Sequence, residues 1–211
     1  MTTPAVGAAK KLMSADEFWD FVQLPENENR DFDLIRGEVI ELSRPTKPHG
    51  VVTTLVTFEL ELYARAVRKG YVVSNDSGVV LGRLPESVVG PDVAYFVDAE
   101  KFEDLHPKWG EIPPVLVVEV LSPNDEPSEV NEKIELYLKN GVKVLWLVDY
   151  ARRKVTIFRP DKTLTVVKSD GELTGGDELP GLSVKVADIF KLPGDRQQPL
   201  QAAEQPKPST T

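Results

Sequence analysis

Cysteine is absent from this chain of 211 residues, and only two histidines occur. Without cysteine there can be no disulfide, no thiol nucleophile and no thiolate metal site. Two histidines are also too few for the usual zinc site built on imidazole, so a bound metal would be a hard cation held by oxygen atoms. Long apolar runs are missing as well, and the first ten residues lack the pattern of a secretion signal. These absences predict a cytoplasmic protein with no membrane partner.

Positive charge is scarce, with 25 Lys and Arg against 34 Asp and Glu, which gives a net charge of −9. A chain with this balance is not typical of proteins that coat nucleic acid. It remains compatible with an enzyme that brings metal ions to a phosphate, because the ions supply positive charge locally. The hydrophobic fraction of 41% is enough for a folded core.

The composition divides the chain into three parts. Residues 1–12 form a loose leader, and residues 13–191 are predicted to be one folded domain. The remaining residues, 192–211, are rich in Pro and Gln and have no aromatic residue, so we expect a disordered tail. Removal of the residues from about Gly194 onward should leave the thermal midpoint of unfolding nearly unchanged.

Strands and helices alternate through the middle of the chain, which predicts an α/β (α+β) fold with a mixed sheet. Ser14 and Glu17 have the spacing of a capping box at the start of a short helix. Arg36-Gly37 separates two alternating runs and predicts a β-hairpin. Further strands are predicted near residues 38–42, 78–82, 92–97, 115–121 and 143–149, and further helices over about 51–69 and 128–140.

Four carboxylates fall on faces that are otherwise apolar: Glu38, Asp92 and Glu119 on strands, and Glu59 on the long helix. An isolated buried carboxylate costs several kcal/mol unless it is paired or bound to metal. Several in one domain are most easily explained if they converge on a cation. The pattern therefore predicts a Mg²⁺ site, with Mn²⁺ as a substitute, that activates water at a phosphate.

Each of these carboxylates also has a purely structural interpretation. Glu38 could lie at a strand edge in water, and Asp92 could only begin a strand or cap a turn. Glu119 could form a structural ion pair. Glu59 could lie where the helix leaves the core. The pattern alone leaves both interpretations open at all four positions.

Two basic residues are candidates for the same site. Lys133 flanks the apolar side of the helix that follows the Glu119 strand, so its ammonium could reach the carboxylates. The alternative is an exposed lysine paired with Glu129. His49 precedes the long helix and could bind a substrate phosphate or relay protons. The alternative is a turn or cap residue.

The order of Pro91-Asp92, Glu119 and Lys133 resembles the PD-(D/E)XK nuclease superfamily. Over residues 13–190 the chain is similar to the Uma-two family of restriction endonuclease-like proteins. The stretches that carry this similarity are residues 33–39, 48–50, 89–94, 117–123, 132–137, 141–142, 145–149, 173–177 and 179–181.

The resemblance implies a restriction endonuclease-like central mixed β-sheet flanked by helices. It implies that Asp92 and Glu119 bind the metal and that Glu38 is an additional acid near the site. The superfamily's usual lysine follows the second acid by two residues, but that position is Leu121 here. A lysine moved to the next helix is the expected replacement, which assigns the catalytic role to Lys133. No family counterpart is assigned to Glu59, which stays an additional candidate.

The first functional hypothesis is therefore a Mg²⁺-dependent endonuclease that hydrolyses phosphodiester bonds in DNA. The second is a catalytically inactive module that keeps the fold and serves association or DNA binding. Hydrolysis of another phosphate ester is a third and weaker hypothesis. Cutting both strands of a duplex also suggests a homodimer.

Overall fold

The computed structural model describes residues 12–123 and 125–195. All but the last residue of the predicted leader, and all but the first four residues of the predicted tail, lie outside these ranges. The helices are α1 (Ala15–Val22), α2 (Lys47–Val67) and α3 (Pro127–Lys139). The strands are β1 (Phe32–Ile35), β2 (Glu38–Glu41), β3 (Tyr71–Ser74), β4 (Val79–Arg83), β5 (Glu86–Val89), β6 (Val93–Phe96), β7 (Leu116–Val120), β8 (Val144–Asp149), β9 (Lys154–Phe158), β10 (Leu164–Lys168), β11 (Glu172–Gly175) and β12 (Leu179–Lys185).

The central sheet has six strands in the order β10-β9-β8-β7-β6-β3. Its β7 and β8 are parallel and are joined through α3, whereas the other neighbours are antiparallel. This arrangement confirms the predicted mixed α/β sheet. A second sheet has the order β2-β1-β5-β4, and β11 pairs with β12. The strands predicted near 38–42 and 78–82 exist, but they belong to the second sheet rather than to the central one.

The central sheet is buried on both faces, which explains the nearly continuous apolar sequence of β7. Leu116, Val118 and Val120 belong to the core that α2 covers. Val117, between them, belongs to the core that α3 covers. Since successive side chains on a strand point to opposite faces, Glu119 points to the α3 side together with Val117.

The hairpin of β1 and β2 confirms the prediction at Arg36-Gly37. Both residues have positive φ angles, 50° and 79°, as a two-residue type I′ turn requires. The register pairs Asp33 with Ile40. In α1, the predicted capping box between Ser14 and Glu17 is present, so that prediction is confirmed as well.

The helix α2 begins four residues earlier than predicted. Thr46 caps it by accepting a hydrogen bond from the His49 amide, and Pro48 fits the first turn because its missing N–H needs no partner there. His49 consequently lies inside the first turn rather than in a turn before the helix. Within the described ranges, no helix is long and apolar enough to cross a membrane.

The segment between β5 and β6 carries the chain from the second sheet into the central sheet. Its first residue, Gly90, lies so close to Asp76 that a Cβ atom would be 2.3 Å from the Asp76 carbonyl oxygen. Only glycine fits this approach. The tight crossing places Asp92, two residues later, next to both sheets.

Candidate functional site

A cavity of about 210 Å³ opens where the two sheets meet, beside the start of α2 and the first half of α3. Among the described residues that line it, Lys133 is the only Lys or Arg and His49 is the only His. Eight carboxylates surround these two bases: Asp31, Asp33, Asp76, Asp92, Asp125, Glu119, Glu129 and Glu132. The cavity is therefore strongly acidic before anything binds to it.

Asp92 and Glu119 are brought together by the antiparallel pairing of β6 with β7. Val93 pairs with Val118, so Asp92 stands opposite Glu119 one step further along the ladder. The carboxylate of Asp92 also accepts a hydrogen bond from the Val120 amide at 2.7 Å through its Oδ2 atom. This backbone contact fixes one oxygen of Asp92 beside the Glu119 side chain.

His49 holds the other oxygen of Asp92. Its Nε2 atom lies 3.1 Å from Asp92 Oδ1, and its Nδ1 atom lies 3.5 Å from the Thr53 hydroxyl. The hydrogen bond with Asp92 raises the pKa of His49, although burial opposes the rise. Because both ring nitrogens contact protein atoms, His49 orients Asp92 in this arrangement.

Lys133 reaches the carboxylates from α3. Its Nζ atom lies 3.2 Å from Asp33 Oδ2 and 3.6 Å from Glu119 Oε1. Burial alone would lower the pKa of Lys133, but the charges of Glu119 and Asp33 outweigh burial and the net change is upward. The ammonium of Lys133 pairs with these two acids rather than with Glu129.

Asp33 is a site residue that the carboxylate pattern did not select. It is 1% exposed, and its Oδ1 atom accepts a hydrogen bond from the Gly90 amide at 3.0 Å. Its other oxygen faces Lys133. The alternation of β1 places Asp33 on the same face as Ile35. The search for acids on apolar strand faces, which selected Glu38, could therefore also have found Asp33.

Glu119 has two partners, and both meet the same oxygen. The Tyr137 hydroxyl donates a hydrogen bond to Glu119 Oε1 at 2.6 Å, and Lys133 approaches the same atom. Burial, and then the charge of Asp92, raises the pKa of Glu119 to about 7, with Lys133 opposing the rise. The glutamate side chain is 15% exposed, which leaves it open to the cavity.

The structure does not bring the other two predicted acids to this place. Glu38 is an exposed residue at the turn end of β2 and is not among the residues lining the cavity. Glu59 is half-buried on α2, ten residues beyond His49, which corresponds to about 15 Å along the helix axis. It does not line the cavity either.

The oxygen donors of Asp92 and Glu119 suit a hard divalent cation, and among the described residues that line the cavity no sulfur atom or free imidazole competes for it. Within residues 12–123 and 125–195, however, no three His, Cys, Asp or Glu side chains are grouped as a ready-made metal site. Mg²⁺ commonly binds to proteins through one or two carboxylates and keeps several waters. Two carboxylates on one cavity wall fit that mode of binding.

The raised pKa of Glu119 predicts a pH-dependent stability without metal. Between its ordinary value of 4.5 and about 7, the folded protein holds a proton on Glu119 that the unfolded chain has lost. The free energy of unfolding should therefore fall as pH rises through this window, by up to roughly 3 kcal/mol. Urea unfolding of the wild type and of Glu119→Gln at pH 5 and pH 7.5 measures the difference. Parallel curves for both proteins would contradict the prediction.

Comparison with known proteins gives the family. The family model Uma2, described as "Putative restriction endonuclease", matches residues 18–187. A crystal structure of a putative nuclease belonging to DUF820 from Anabaena variabilis ATCC 29413 has a TM-score of 0.70 and 22% sequence identity, covering 84% of this chain and 97% of that chain. At this identity the likeness shows a shared fold. No curated protein matches. Because the family model covers most of the chain, the protein belongs to the Uma2 family of putative restriction endonucleases.

Proposed function

We propose that this protein is a Mg²⁺-dependent endonuclease that hydrolyses phosphodiester bonds of DNA in the acidic cavity. The observation that carries the proposal is the meeting of Lys133 with Glu119 beside Asp92, from three separate elements. A lysine and two acids at one cavity wall are the parts that the PD-(D/E)XK resemblance requires. Membership of a family of putative restriction endonucleases supports the same function.

Each side chain has a specific task in this proposal. Asp92 and Glu119 would hold Mg²⁺ or Mn²⁺, which polarises the phosphate and lowers the pKa of an attacking water when it is bound. His49 and the Val120 amide keep Asp92 in place. Lys133 orients the attacking water, or offsets negative charge on the phosphate, through its ammonium.

Asp33 is assigned a supporting task. Its side chain is 2% exposed, against 13% for Asp92 and 15% for Glu119, and one of its oxygens lies 3.2 Å from the Lys133 ammonium. We therefore propose that Asp33 holds the lysine rather than the metal. Glu38, which the family resemblance implied as an additional acid, has no task in this scheme because it does not line the cavity.

A cleavage assay tests the proposal directly. Supercoiled plasmid DNA incubated with the purified protein should be nicked or linearised with Mg²⁺ or Mn²⁺ and should stay intact with EDTA. Asp92→Ala should abolish cleavage, because it removes an acid that holds the metal. Asp31→Ala is the matched control, since Asp31 lines the same cavity but is exposed. Equal cleavage by wild type and Asp92→Ala would indicate another nuclease in the preparation.

The inactive module is the second candidate, and the charge of the cavity favours it. Eight carboxylates face one lysine, and the described residues contain no ready-made group of three metal ligands. Such a cavity repels DNA unless cations enter it. This candidate predicts intact plasmid under all metal conditions, whether or not the protein binds DNA in a gel-shift experiment. Cleavage that depends on Asp92 would exclude it.

A second cavity, of about 260 Å³, offers the positive charge that the first lacks. It is lined by Arg36, Arg83 and Lys139, and it reaches the first cavity through the ion pair of Arg36 with Glu132, at 3.1 Å. Arg36 and Lys139 are each paired with a glutamate. Arg83 is exposed at the end of β4. We propose that DNA phosphates beside the cleaved bond lie along these cations.

The variant Arg83→Ala measures this contact. We expect weaker DNA binding for all sequences, and a slope of log K against log salt that is smaller by about 1, because one phosphate contact is lost. Fluorescence anisotropy at several salt concentrations, with Ca²⁺ in place of Mg²⁺, gives both quantities. Arg65→Ala on α2 is the control, since Arg65 lies 16 residues beyond His49 on the same helix. An unchanged salt slope for Arg83→Ala would contradict the contact.

Cutting both strands of a duplex in one binding event calls for two active sites, which is the basis for proposing a homodimer. Sedimentation of the protein with and without DNA should show a species of twice the mass of 23.4 kDa. A monomer in both conditions would restrict the proposed activity to nicking one strand at a time.

A further inference from the structure

Among the described residues, Tyr137 is the partner of Glu119 that carries no charge. It lies on α3 four residues after Lys133, so the two side chains emerge from the same face of the helix. Its ring is fully buried, with 0% exposed, in the core between α3 and the central sheet. Its hydroxyl donates a hydrogen bond of 2.6 Å to Glu119 Oε1.

Burial of the ring fixes the position of that hydroxyl. A side chain packed in a protein core cannot move without disturbing its neighbours, which here include Val117 and Ile134. Tyr137 is therefore a stationary donor aimed at a carboxylate at the edge of the cavity.

The contact restricts Glu119 more than Lys133 does. The lysine lies 3.6 Å from the same oxygen and is shared with Asp33 at 3.2 Å. The tyrosine makes the shorter contact, from a rigid ring. Both contacts fall on Oε1, so Oε2 takes part in neither of them.

We propose that Tyr137 is a positioning residue for Glu119, and that its hydroxyl strengthens divalent metal binding by holding the carboxylate in a single orientation. This inference rests on the proposed function, because it takes Glu119 as a metal ligand. Hydrogen-bond partners of metal ligands typically account for 10–100-fold in metal affinity. Tyr137 touches neither metal nor substrate and acts through Glu119.

The variant Tyr137→Phe tests the inference, because it removes the hydroxyl and keeps the ring. Calorimetric titration with Mg²⁺ should show affinity weakened by about 10-fold. Mn²⁺ added to the same variant should give a changed electron paramagnetic resonance spectrum, since the ligand orientation changes. In cleavage, the Mg²⁺ concentration for half-maximal rate should rise by a similar factor, while the rate at saturating Mg²⁺ changes less.

Tyr95→Phe is the matched control. Tyr95 is 1% exposed in the core on the other face of the sheet, and its hydroxyl donates to the Lys69 carbonyl oxygen. Losing that hydrogen bond should lower the thermal midpoint about as much as Tyr137→Phe does, with no change in Mg²⁺ affinity. If both variants weaken Mg²⁺ binding equally, the effect reflects general stability and the inference is overturned.

A double-mutant cycle with Glu119→Gln tests whether Tyr137 affects metal binding through Glu119. Glu119→Gln should itself weaken Mg²⁺ binding, and adding Tyr137→Phe should then change the affinity little further. Equal effects of Tyr137→Phe in both backgrounds would overturn the inference. Wild-type affinity in Tyr137→Phe would overturn the inference and leave the proposed function intact. A wild type that binds neither Mg²⁺ nor Mn²⁺ would overturn both.

Discussion

Replacing Lys133 with Met is expected to reduce DNA cleavage by about 100-fold or more, the size of effect seen when a fixed electrostatic group is removed from an active site. Methionine keeps most of the lysine stem and removes the ammonium that faces Glu119 and Asp33. Mg²⁺ binding should remain, because Asp92 and Glu119 are unchanged. Single-turnover cleavage and calorimetric titration of the same preparation measure the two quantities.

The ion pair of Lys133 with Asp33 adds a second consequence. Because Met keeps most of the stem and removes only the charge, a lysine that merely flanks the apolar side of α3 could be replaced with little effect on folding. In the structure, Lys133 pairs with an aspartate side chain that is 2% exposed, so Met leaves that carboxylate buried and unpaired. The variant should therefore lose stability by a few kcal/mol.

Stability and catalysis can be separated by a compensating change. Adding Asp33→Asn to Lys133→Met removes the unpaired charge, and the asparagine oxygen can still accept the Gly90 amide. The double variant should recover part of the stability and none of the cleavage. Lys185→Met, at an exposed position on β12, is the control for loss of a lysine. Full cleavage by Lys133→Met would remove Lys133 from the site.

The acids on the central sheet could be predicted from the sequence because alternation along a strand is local. Asp92 and Glu119 each interrupt an apolar face, and no knowledge of the neighbouring strands is needed to see it. Their mutual approach follows from the pairing of β6 with β7. The alternation along a strand does not show whether that strand lies at an exposed edge of a sheet. The exposed Glu38 therefore could not be distinguished from the buried acids by sequence.

Asp33 shows what local pattern cannot provide. Its burial depends on the packing of the second sheet against the central one, and its hydrogen bond comes from Gly90, 57 residues away. No strand was predicted for β5, so neither the second sheet nor the crossing at Gly90 could be predicted from the sequence. The task of Asp33 became visible only with the tertiary structure.

The two helices illustrate the same limit. The period of α2 predicted a helix with Glu59 on its apolar side, but Glu59 lies far from the cavity, because a helical pattern does not tell which turn meets a site. For α3, the apolar residues that dock the helix also carry Lys133 towards the acids. The same pattern gave no sign of the contact between Tyr137 and Glu119. A tyrosine on the apolar side of a helix is predicted to be a core residue, and the sequence does not show what its hydroxyl contacts.

Replacing Asp33 with Ala is expected to lower the free energy of unfolding by about 3 kcal/mol, because removing one partner of a buried pair leaves the other charge uncompensated. The alanine would leave Lys133 with Glu119 alone and would deprive the Gly90 amide of its acceptor. Asp33→Asn should cost less, since the amide oxygen can still accept from Gly90. Urea denaturation of both variants at pH 7.5 shows which of them loses more stability.

Coupling with Lys133 distinguishes the ion pair from a simple loss of packing. In the double variant Asp33→Ala/Lys133→Met the charge that Asp33→Ala leaves uncompensated is gone, so the combined loss of stability should be smaller than the sum of the single losses by about 0.5–3 kcal/mol. Asp31→Ala, on the same segment but exposed, should stay within about 0.5 kcal/mol of the wild type. Strict additivity of the two changes would show that Asp33 does not hold Lys133, and the lysine would then need another support to stay beside Glu119.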